Sequence, residues 1–174
     1  MNINDIINNT LNFIVKRVAE LTGIFLVILS ILLLISLISY SPDDPNFIFP
    51  DNTEIRNILG FKGSFISDLF FQSIGLISIL ISITLFITGI NIIRTKNLLF
   101  ILQNSFYLIL YSILGSLFFT IYYPESFWLT INGNGGFIGK LLSETFLISI
   151  VNLNKQMNYY SLVIGIGILF LISN

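Results

Sequence analysis

Two adjacent carboxylates, Asp43 and Asp44, are the side chains best placed in the sequence to bind a cation. They stand in the segment Tyr40-Ser41-Pro42-Asp43-Asp44-Pro45, where two prolines stop a helix and favour a turn. Calcium takes about six to eight oxygen ligands, so two carboxylates are too few to predict a metal site. We predict that this segment ends a helix at a membrane surface and that no metal binds there.

The glycine-rich segment Asn132–Leu141 contains Gly139 followed by Lys140, the pair that closes a phosphate-binding loop. Such a loop also needs glycine at position 134 and serine or threonine at position 141. The sequence has Asn134 and Leu141 at these positions, so we predict no nucleotide site.

Side chains that commonly carry catalysis are scarce. The chain has no Cys and no His, which removes thiolate nucleophiles and the commonest acid–base groups and transition-metal ligands. Its net charge of −1 offers no electrostatic basis for binding nucleic acid. We predict that this chain is not an enzyme, carries no cofactor, and binds neither ATP nor nucleic acid.

The composition points to a lipid environment. Hydrophobic residues make up 55% of the chain and charged residues 10%, against about 25% charged residues in a soluble domain. We predict an all-α integral membrane protein, with a cytoplasmic leader over residues 1–20 and a four-helix membrane domain over residues 21–174. At about 1.5 Å per residue, the first three apolar stretches can cross a core of about 30 Å, and the fourth falls short of a full crossing. The predicted spans are about 21–39, 69–93, 98–122 and 159–173.

The cationic residues predict the orientation of these spans. Short cytoplasmic flanks of membrane helices carry an excess of Lys and Arg. We therefore expect two helical hairpins with both chain ends inside, and outer loops at 40–68 and 123–158. The cationic residues in the short flanks are Lys16, Arg17, Arg94 and Lys96.

No Asp, Glu, Lys or Arg lies in the central part of any predicted span. Since ionisable groups inside a membrane mark ion and proton paths, this argues against a pump or secondary transporter. We predict that the polar side chains in the spans lie at helix contacts or bond to helix carbonyls, and do not line a conduit. The alternative is a small helical channel, a holin-like or a transporter-like membrane protein. These polar residues are Ser30, Ser36, Gln72, Ser78, Ser82, Thr84, Thr88, Ser112, Ser116 and Thr120.

Each outer loop is predicted to contain the start of a helix. Gly63-Ser64 is typical of a helix start with Ser64 as the N-cap, and this helix would run unbroken into the second span. Asp68 would then lie near the positive end of the helix dipole. In the second loop, residues 137–151 predict a short amphipathic helix at the membrane surface. Its apolar face would comprise Phe137, Ile138, Leu141, Leu142 and Ile148, with Lys140 and Glu144 on the other face.

Three blocks of sequence carry a family resemblance: Ile38–Pro45, Asn57–Gly75, and Gly135–Gly139 before Leu141-Leu142. The first is similar to a pattern of serine, aromatic, any residue, Pro, any residue, Asp, Pro. In order and spacing, the blocks resemble the N-terminal four-helix membrane domain of the FtsK/SpoIIIE family of bacterial DNA translocases. The residues in this resemblance are Tyr40, Pro42, Asp43, Pro45, Gly60, Gly63, Asp68, Gly75, Gly135, Gly136 and Gly139.

The resemblance implies a multi-pass anchor in the bacterial inner membrane, at the division septum, that contacts other division-site membrane proteins as well as the lipid bilayer. In that family a linker, a hexameric ATPase that moves DNA and a DNA-reading module follow the membrane domain. None of these follows the fourth span here, so we expect a fragment, a split gene product or a stand-alone anchor. Homo-oligomerisation is left open.

Overall fold

The computed structural model describes residues 3–45, 54–129, 131–145 and 154–174, and these residues form α-helices without any strand. Four helical stretches are long and apolar enough to cross a membrane: Ile7–Ile38, Gly60–Thr95, Leu99–Tyr122 and Lys155–Ile172. The predictions of an all-α fold and of four stretches able to span a membrane are therefore confirmed. The helices are α1 (Ile3–Ile38), α2 (Gly60–Ile74), α3 (Ser78–Thr95), α4 (Leu99–Tyr122), α5 (Gly136–Ser143) and α6 (Lys155–Ile172).

The first helix is longer than the predicted first span. α1 begins at Ile3 and runs for 36 residues, about 54 Å at the rise of an α-helix. The leader over residues 1–20 is therefore helical from Ile3 and continuous with the span. Since a hydrocarbon core is only about 30 Å thick, α1 extends well beyond it.

The second membrane-spanning stretch is broken in its first half. α2 ends at Ile74, a 3-10 turn covers Gly75–Ile77, and α3 begins at Ser78. Gly75 has φ 73° and ψ −152°, a conformation that only glycine adopts readily. The prediction of an unbroken helix from the loop into the second span is therefore wrong, because Gly75 takes the backbone out of the helical path.

The fourth membrane-spanning helix is longer than its apolar run. α6 begins at Lys155 instead of residue 159, and the side chain of Asn154 accepts a hydrogen bond from the N–H of Met157 at 3.4 Å. This N-cap allows polar residues to form the first turn. With 18 residues, α6 reaches about 27 Å, close to the thickness of a hydrocarbon core.

Small residues and aromatic rings join the long helices. Gly23 of α1 faces Gly89 of α3 so closely that a Cβ on Gly23 would lie 2.8 Å from the carbonyl oxygen of Gly89. Such close approach of two backbones is typical of helix contacts in membranes. Between α4 and α6, the ring centroids of Phe118 and Tyr159 lie 5.3 Å apart. Among the long helices, α1 contacts α3, α3 contacts α4, and α4 contacts α6.

The polar side chains of the spans lie at helix contacts, as predicted. Eight of the ten are buried. The hydroxyl groups of Thr84 and Tyr111 lie 2.9 Å apart, and the amide of Asn104 donates to the hydroxyl of Thr88 at 2.7 Å. Other hydroxyls donate to carbonyl oxygens of their own helix, namely those of Ser30, Ser82 and Ser112.

Candidate functional site

One end of the bundle carries both loop motifs and is termed the loop face. It comprises residues 39–45 and 54–59, residues 123–129 and 131–135, and the helix α5. The opposite end carries the turn between α3 and α4 and is termed the turn end. Every residue in the family resemblance lies at the loop face or in the helices that border it.

The neighbouring carboxylates Asp43 and Asp44 have different surroundings. Asp44 is 4% exposed and accepts hydrogen bonds from the backbone N–H groups of Arg56 and Asn57 at 2.9 and 2.8 Å. Asp43 is 71% exposed and pairs with the guanidinium of Arg56 at 3.0 Å. Among the residues that the structure describes, no group of three or more metal-ligating side chains occurs. Asp44 therefore ties the segment after α1 to the segment before α2.

Asn57 is the centre of the first loop. Its buried amide donates to the carbonyl oxygens of Ser36 and Ser39 at 2.9 and 3.3 Å, and its Oδ1 accepts from the N–H of Leu59 at 3.1 Å. A Cβ on Gly63 would lie 2.1 Å from that Oδ1. Only glycine therefore fits at position 63, because the Asn57 side chain occupies the space that a Cβ would need.

α2 begins before the predicted cap. Its first residue is Gly60, which has φ 65° and whose N–H donates to the carbonyl oxygen of Asn57 at 2.8 Å. Ser64 lies inside the helix, and its hydroxyl donates to the carbonyl oxygen of Pro45 at 3.0 Å. The predicted cap is wrong because the Ser64 side chain bonds to the preceding loop instead of its own helix.

Tyr40 and Asp68 belong to a chain of polar side chains that joins the two loops. The hydroxyl of Tyr40 donates to Oδ1 of Asp68 at 3.2 Å, and the amide of Gln72 donates to the same oxygen at 3.4 Å. The amide of Asn132, in the second loop, donates to Oε1 of Gln72 at 3.1 Å. Burial, with the nearby charge of Asp68, raises the pKa of Tyr40, so its hydroxyl stays protonated and can donate.

The position of Asp68 corrects its predicted role. It lies in the middle of α2, and no acidic residue stands in the first turn of that helix. The charge–dipole effect is confined to the first turn, so the predicted contact with the dipole is wrong. Hydrogen bonds from Tyr40 and Gln72 hold the carboxylate instead.

The second loop supplies the hydrogen bonds that the break at Gly75 removes. In an unbroken helix the N–H of Leu76 would donate to the carbonyl oxygen of Gln72. Here the N–H of Leu76 donates to the carbonyl oxygen of Asn134 at 2.9 Å. The carbonyl oxygen of Gln72 accepts from the side chain of Asn132 at 3.2 Å. The loop thus satisfies both backbone groups that the break leaves without a helical partner.

Glycines allow the loop to approach this closely. A Cβ on Gly75 would lie 1.9 Å from a carbonyl oxygen of the second loop, and a Cβ on Gly136 would lie 2.5 Å from the nitrogen of Gly75. A Cβ on Gly135 or Gly139 would lie 1.9 or 2.2 Å from the hydroxyl of Thr120. The structure therefore brings Gly75, Gly135, Gly136 and Gly139 together, although they are far apart in the sequence.

α5 is a shorter form of the predicted amphipathic segment. It covers Gly136–Ser143 instead of residues 137–151, and Ile148 lies outside the described residues. Its glycine side packs on α4 and α2, whereas Phe137 and Leu141 are exposed. Phe137 and Leu141 therefore face away from the bundle, whereas Ile138 and Leu142 are half-buried.

A groove on the loop face brings together the exposed residues of the first motif and two aromatic side chains. We term it the loop-face groove. Phe127 is 91% exposed and Trp128 60% exposed, which is unusual for large aromatic side chains. Aromatic side chains together with arginine are typical of the residues that dominate protein–protein binding. The groove is lined by Tyr40, Pro42, Asp43, Arg56, Phe127 and Trp128.

Sequence reasoning missed the hydrogen-bonding role of four residues that hold the loops: Asp44, Asn57, Asn132 and Asn134. One signal was available, because the aspartate of the family pattern falls on Asp44 and not on Asp43. Asn57 and Asn132 bond to backbone groups 21 and 60 residues away, and Asn134 bonds to the carbonyl oxygens of its own loop. Neither the spacing nor the composition of the loops indicated those partners.

Comparison with known proteins finds two relatives of this chain. The DNA translocase FtsK of Rhizobium meliloti (strain 1021) is 26% identical over 131 residues, which is 75% of this chain and 15% of that protein. The DNA translocase FtsK of Rickettsia prowazekii (strain Madrid E) is 33% identical over 72 residues, 41% of this chain and 10% of that protein. The chain therefore spans only a small part of the length of these relatives. No solved structure matches it significantly.

The strongest assignment comes from the protein family. Residues 15–173 match the family described as the 4TM region of DNA translocase FtsK/SpoIIIE. This match covers most of the first membrane-spanning stretch, the other three stretches in full, and both loop motifs. The chain therefore belongs to the 4TM-region family of the FtsK/SpoIIIE DNA translocases.

Proposed function

We propose that this chain anchors an FtsK-like DNA translocase in the bacterial inner membrane at the division septum. The observation that carries the proposal is the match of residues 15–173 to the membrane region of that family. The four apolar helices support the role of an anchor. ATP hydrolysis and DNA binding form no part of the proposed role of these residues, which match the membrane region alone.

On this proposal the loop face lies on the outer side of the inner membrane and the turn end lies in the cytoplasm. The support is the charge of the turn end, where Arg17, Glu20 and Lys96 meet: Lys96 Nζ lies 2.7 Å from the Glu20 carboxylate. Lys and Arg in short flanks favour the cytoplasmic side. The exposed Phe127 and Trp128 then lie at the outer headgroup layer, which suits aromatic rings.

The loop-face groove is the proposed contact surface for other division-site membrane proteins. Two sets of hydrogen bonds hold the loops beside it, one centred on Asn57 and the other on the helix break at Gly75. A surface held in one conformation loses little entropy when a partner binds. The groove therefore offers exposed aromatic and charged groups on a rigid base.

The burial of polar side chains favours an anchor over a channel or transporter. Water-filled conduits need polar groups that face the lumen. Here the hydroxyls of Thr84 and Tyr111 bond to each other, and the amide of Asn104 bonds to Thr88. Because these side chains bond to each other between α3 and α4, they do not form a polar stripe along the described part of either helix.

Localisation of the full chain in dividing cells tests the proposal. The chain, fused at its N-terminus to a fluorescent protein, is expressed in Rhizobium meliloti, the host of one relative. We expect a fluorescent band at mid-cell in dividing cells. An even signal around the whole envelope would contradict the septal role, and a soluble signal would contradict the anchor itself.

A pair of aromatic substitutions tests the contact surface. Trp128→Ala removes an exposed ring of the loop-face groove, whereas Phe106→Ala removes an exposed ring on the side of α4. We expect Trp128→Ala to weaken the mid-cell band while the protein stays in the membrane, and Phe106→Ala to leave the band unchanged. Mid-cell bands of equal intensity in the two variants would argue against the groove as the contact surface.

A further inference from the structure

The N-terminal part of α1 projects beyond the rest of the bundle. Lys96 Nζ lies 2.7 Å from a carboxylate oxygen of Glu20, which places Glu20 level with the turn between α3 and α4. From Glu20 back to Ile7 the helix continues for about 20 Å past this level. Every side chain from Ile7 to Val18 is exposed. This projection lies outside the membrane if the charged residues of the turn end mark the headgroup layer.

An apolar stripe runs along α1 with alternating spacings of four and three residues. Such spacing is the heptad pattern of a coiled-coil seam. Each of its eight residues is between 44% and 68% exposed, and none belongs to the side that packs on α3, where Ala19, Gly23 and Ser30 are buried. The stripe comprises Ile7, Leu11, Ile14, Val18, Leu21, Phe25, Ile28 and Leu32.

The hydrocarbon core can cover only the second half of this stripe. From Leu21 onwards the residues belong to the membrane-spanning part, where exposed apolar side chains are expected. From Ile7 to Val18 the neighbouring faces of the helix carry mainly asparagine, threonine, lysine and arginine, and Phe13 and Val15 are their two apolar residues. An exposed apolar stripe bordered by polar residues marks an interaction surface in proteins. This half of the stripe therefore needs a cover other than the hydrocarbon core.

We propose that a second copy of this chain covers it, so that two α1 helices form a parallel coiled coil from Ile7 to Leu32. A bilayer gives every copy the same orientation, so the α1 helices of neighbouring copies run parallel. A heptad seam is complementary to the same seam in a parallel neighbour. The coiled coil would therefore begin outside the membrane and continue into it without a change of register.

The charges of α1 are compatible with this pairing. Lys16 and Glu20 lie off the seam, in the outer positions of the heptad. Arg17 flanks the seam. In a parallel pair it faces Thr22 of the second copy, which is uncharged. Two large apolar side chains of the projection lie off the seam. Val15 flanks it, and Phe13 lies beneath the guanidinium of Arg17 at 5.1 Å. No like charges therefore meet across the seam.

Cysteine cross-linking of the full chain tests the proposal. The native chain has no cysteine, so single substitutions give an unambiguous signal. Leu11→Cys, Ile14→Cys and Val18→Cys place a thiol on the seam, and Asn9→Cys and Lys16→Cys place one on the outer side. Each protein is reconstituted in vesicles of phosphatidylcholine and phosphatidylglycerol and oxidised with copper phenanthroline.

We expect at least about five-fold more disulfide-linked dimer from the seam positions than from the outer positions, because only seam residues meet across a coiled coil. Equal cross-linking at all five positions would overturn the proposal. So would no dimer at any position. In that case, protection of the seam thiols from a water-soluble maleimide would show that the projection lies on the lipid surface instead.

A charge placed on the seam gives a second test. Ile14→Asp introduces a carboxylate into the seam of the Val18→Cys protein, and Asn9→Asp adds the same charge on the outer side. Both positions are exposed in the single chain, so neither change disturbs its packing. We expect Ile14→Asp, and not Asn9→Asp, to reduce the dimer fraction by at least about half. An equal dimer fraction in both proteins would contradict the coiled coil.

Discussion

Asp43 and Asp44 differ in what each carboxylate does for the first loop. Asp44 is buried and accepts from the backbone N–H groups of Arg56 and Asn57. Asp43 is exposed and forms an ion pair with the side chain of Arg56. An exposed ion pair contributes little to stability, whereas loss of a buried acceptor leaves its donors without partners. The two neighbouring residues should therefore respond very differently to substitution.

Substitution of each aspartate by alanine measures this difference. Asp44→Ala leaves the buried N–H of Asn57 and the partly buried N–H of Arg56 without this acceptor, and we expect it to lower the free energy of unfolding by about 2–4 kcal/mol. We expect Asp43→Ala to change it by less than about 0.5 kcal/mol. The measurement is unfolding of the purified chain in mixed micelles of a mild detergent and SDS. Equal destabilisation by the two changes would contradict the assignment.

At the residue scale the sequence predicts the turn but not its partners. Tyr40, Pro42 and Pro45 correctly indicate that a helix stops and the chain turns. Which carboxylate is buried depends on the N–H groups of Arg56 and Asn57, which reach Asp44 only after the chain folds back. Local residue types carry no information on that contact, so the burial of Asp44 could not be predicted.

At the scale of elements, the break at Gly75 is the least regular feature of the membrane-spanning helices. It interrupts the second span, and the carbonyl oxygen of Asn134 and the side chain of Asn132 satisfy the backbone groups that it exposes. Unsatisfied backbone groups are costly where water is absent. The break and the second loop must therefore form together.

A pair of glycine substitutions tests this dependence. Gly75→Ala forces a Cβ into a backbone with φ 73°, 1.9 Å from a carbonyl oxygen of the loop. We expect it to lower the free energy of unfolding by about 3 kcal/mol or more. At Gly165, inside α6, a Cβ would meet nothing within 4 Å. Gly165→Ala should therefore be neutral or stabilise by up to about 1 kcal/mol.

Thermal unfolding of both glycine variants in detergent provides the measurement. A lower midpoint for Gly75→Ala and an unchanged or higher midpoint for Gly165→Ala is the expected result. If Gly75→Ala were as stable as the unsubstituted chain, the loop would not pack against the break as described.

Hydrogen exchange at Leu76 tests the hydrogen bonds themselves. In the native chain the N–H of Leu76 is bonded to the second loop and should exchange slowly, although it lies at a helix break. Asn132→Ala removes the donor to Gln72 and loosens the loop. We expect exchange at Leu76 to become at least about ten-fold faster, while exchange in the middle of α4 stays unchanged. Unchanged exchange at Leu76 would contradict the role of the loop.

The four membrane-spanning stretches could be predicted because each is a long apolar run. Their ends were harder to predict. α6 gains a polar first turn through the Asn154 cap, and α1 includes the amphipathic leader, whose polar residues concealed its helical continuity with the span. The break at Gly75 was not predicted, because its stability depends on hydrogen bonds from Asn132 and Asn134 in a distant loop.

At the scale of the whole molecule, the two loops form one surface at one end of the bundle. The side chain of Asn132 bonds to Gln72, which bonds in turn to Asp68 and so to Tyr40. On the proposed topology, this chain of contacts holds both loops on one side of the membrane, and the turn between α3 and α4 lies on the opposite side.

Accessibility of single cysteines to a membrane-impermeant maleimide tests this arrangement most directly. Asp43→Cys and Ser143→Cys mark the two loops and Asn97→Cys marks the turn, in a chain with no other cysteine. In right-side-out vesicles we expect positions 43 and 143 to be labelled at once and position 97 only after the vesicles are permeabilised. If only one of positions 43 and 143 were labelled before the vesicles are permeabilised, the account would be contradicted, because the two loops could not then share one face.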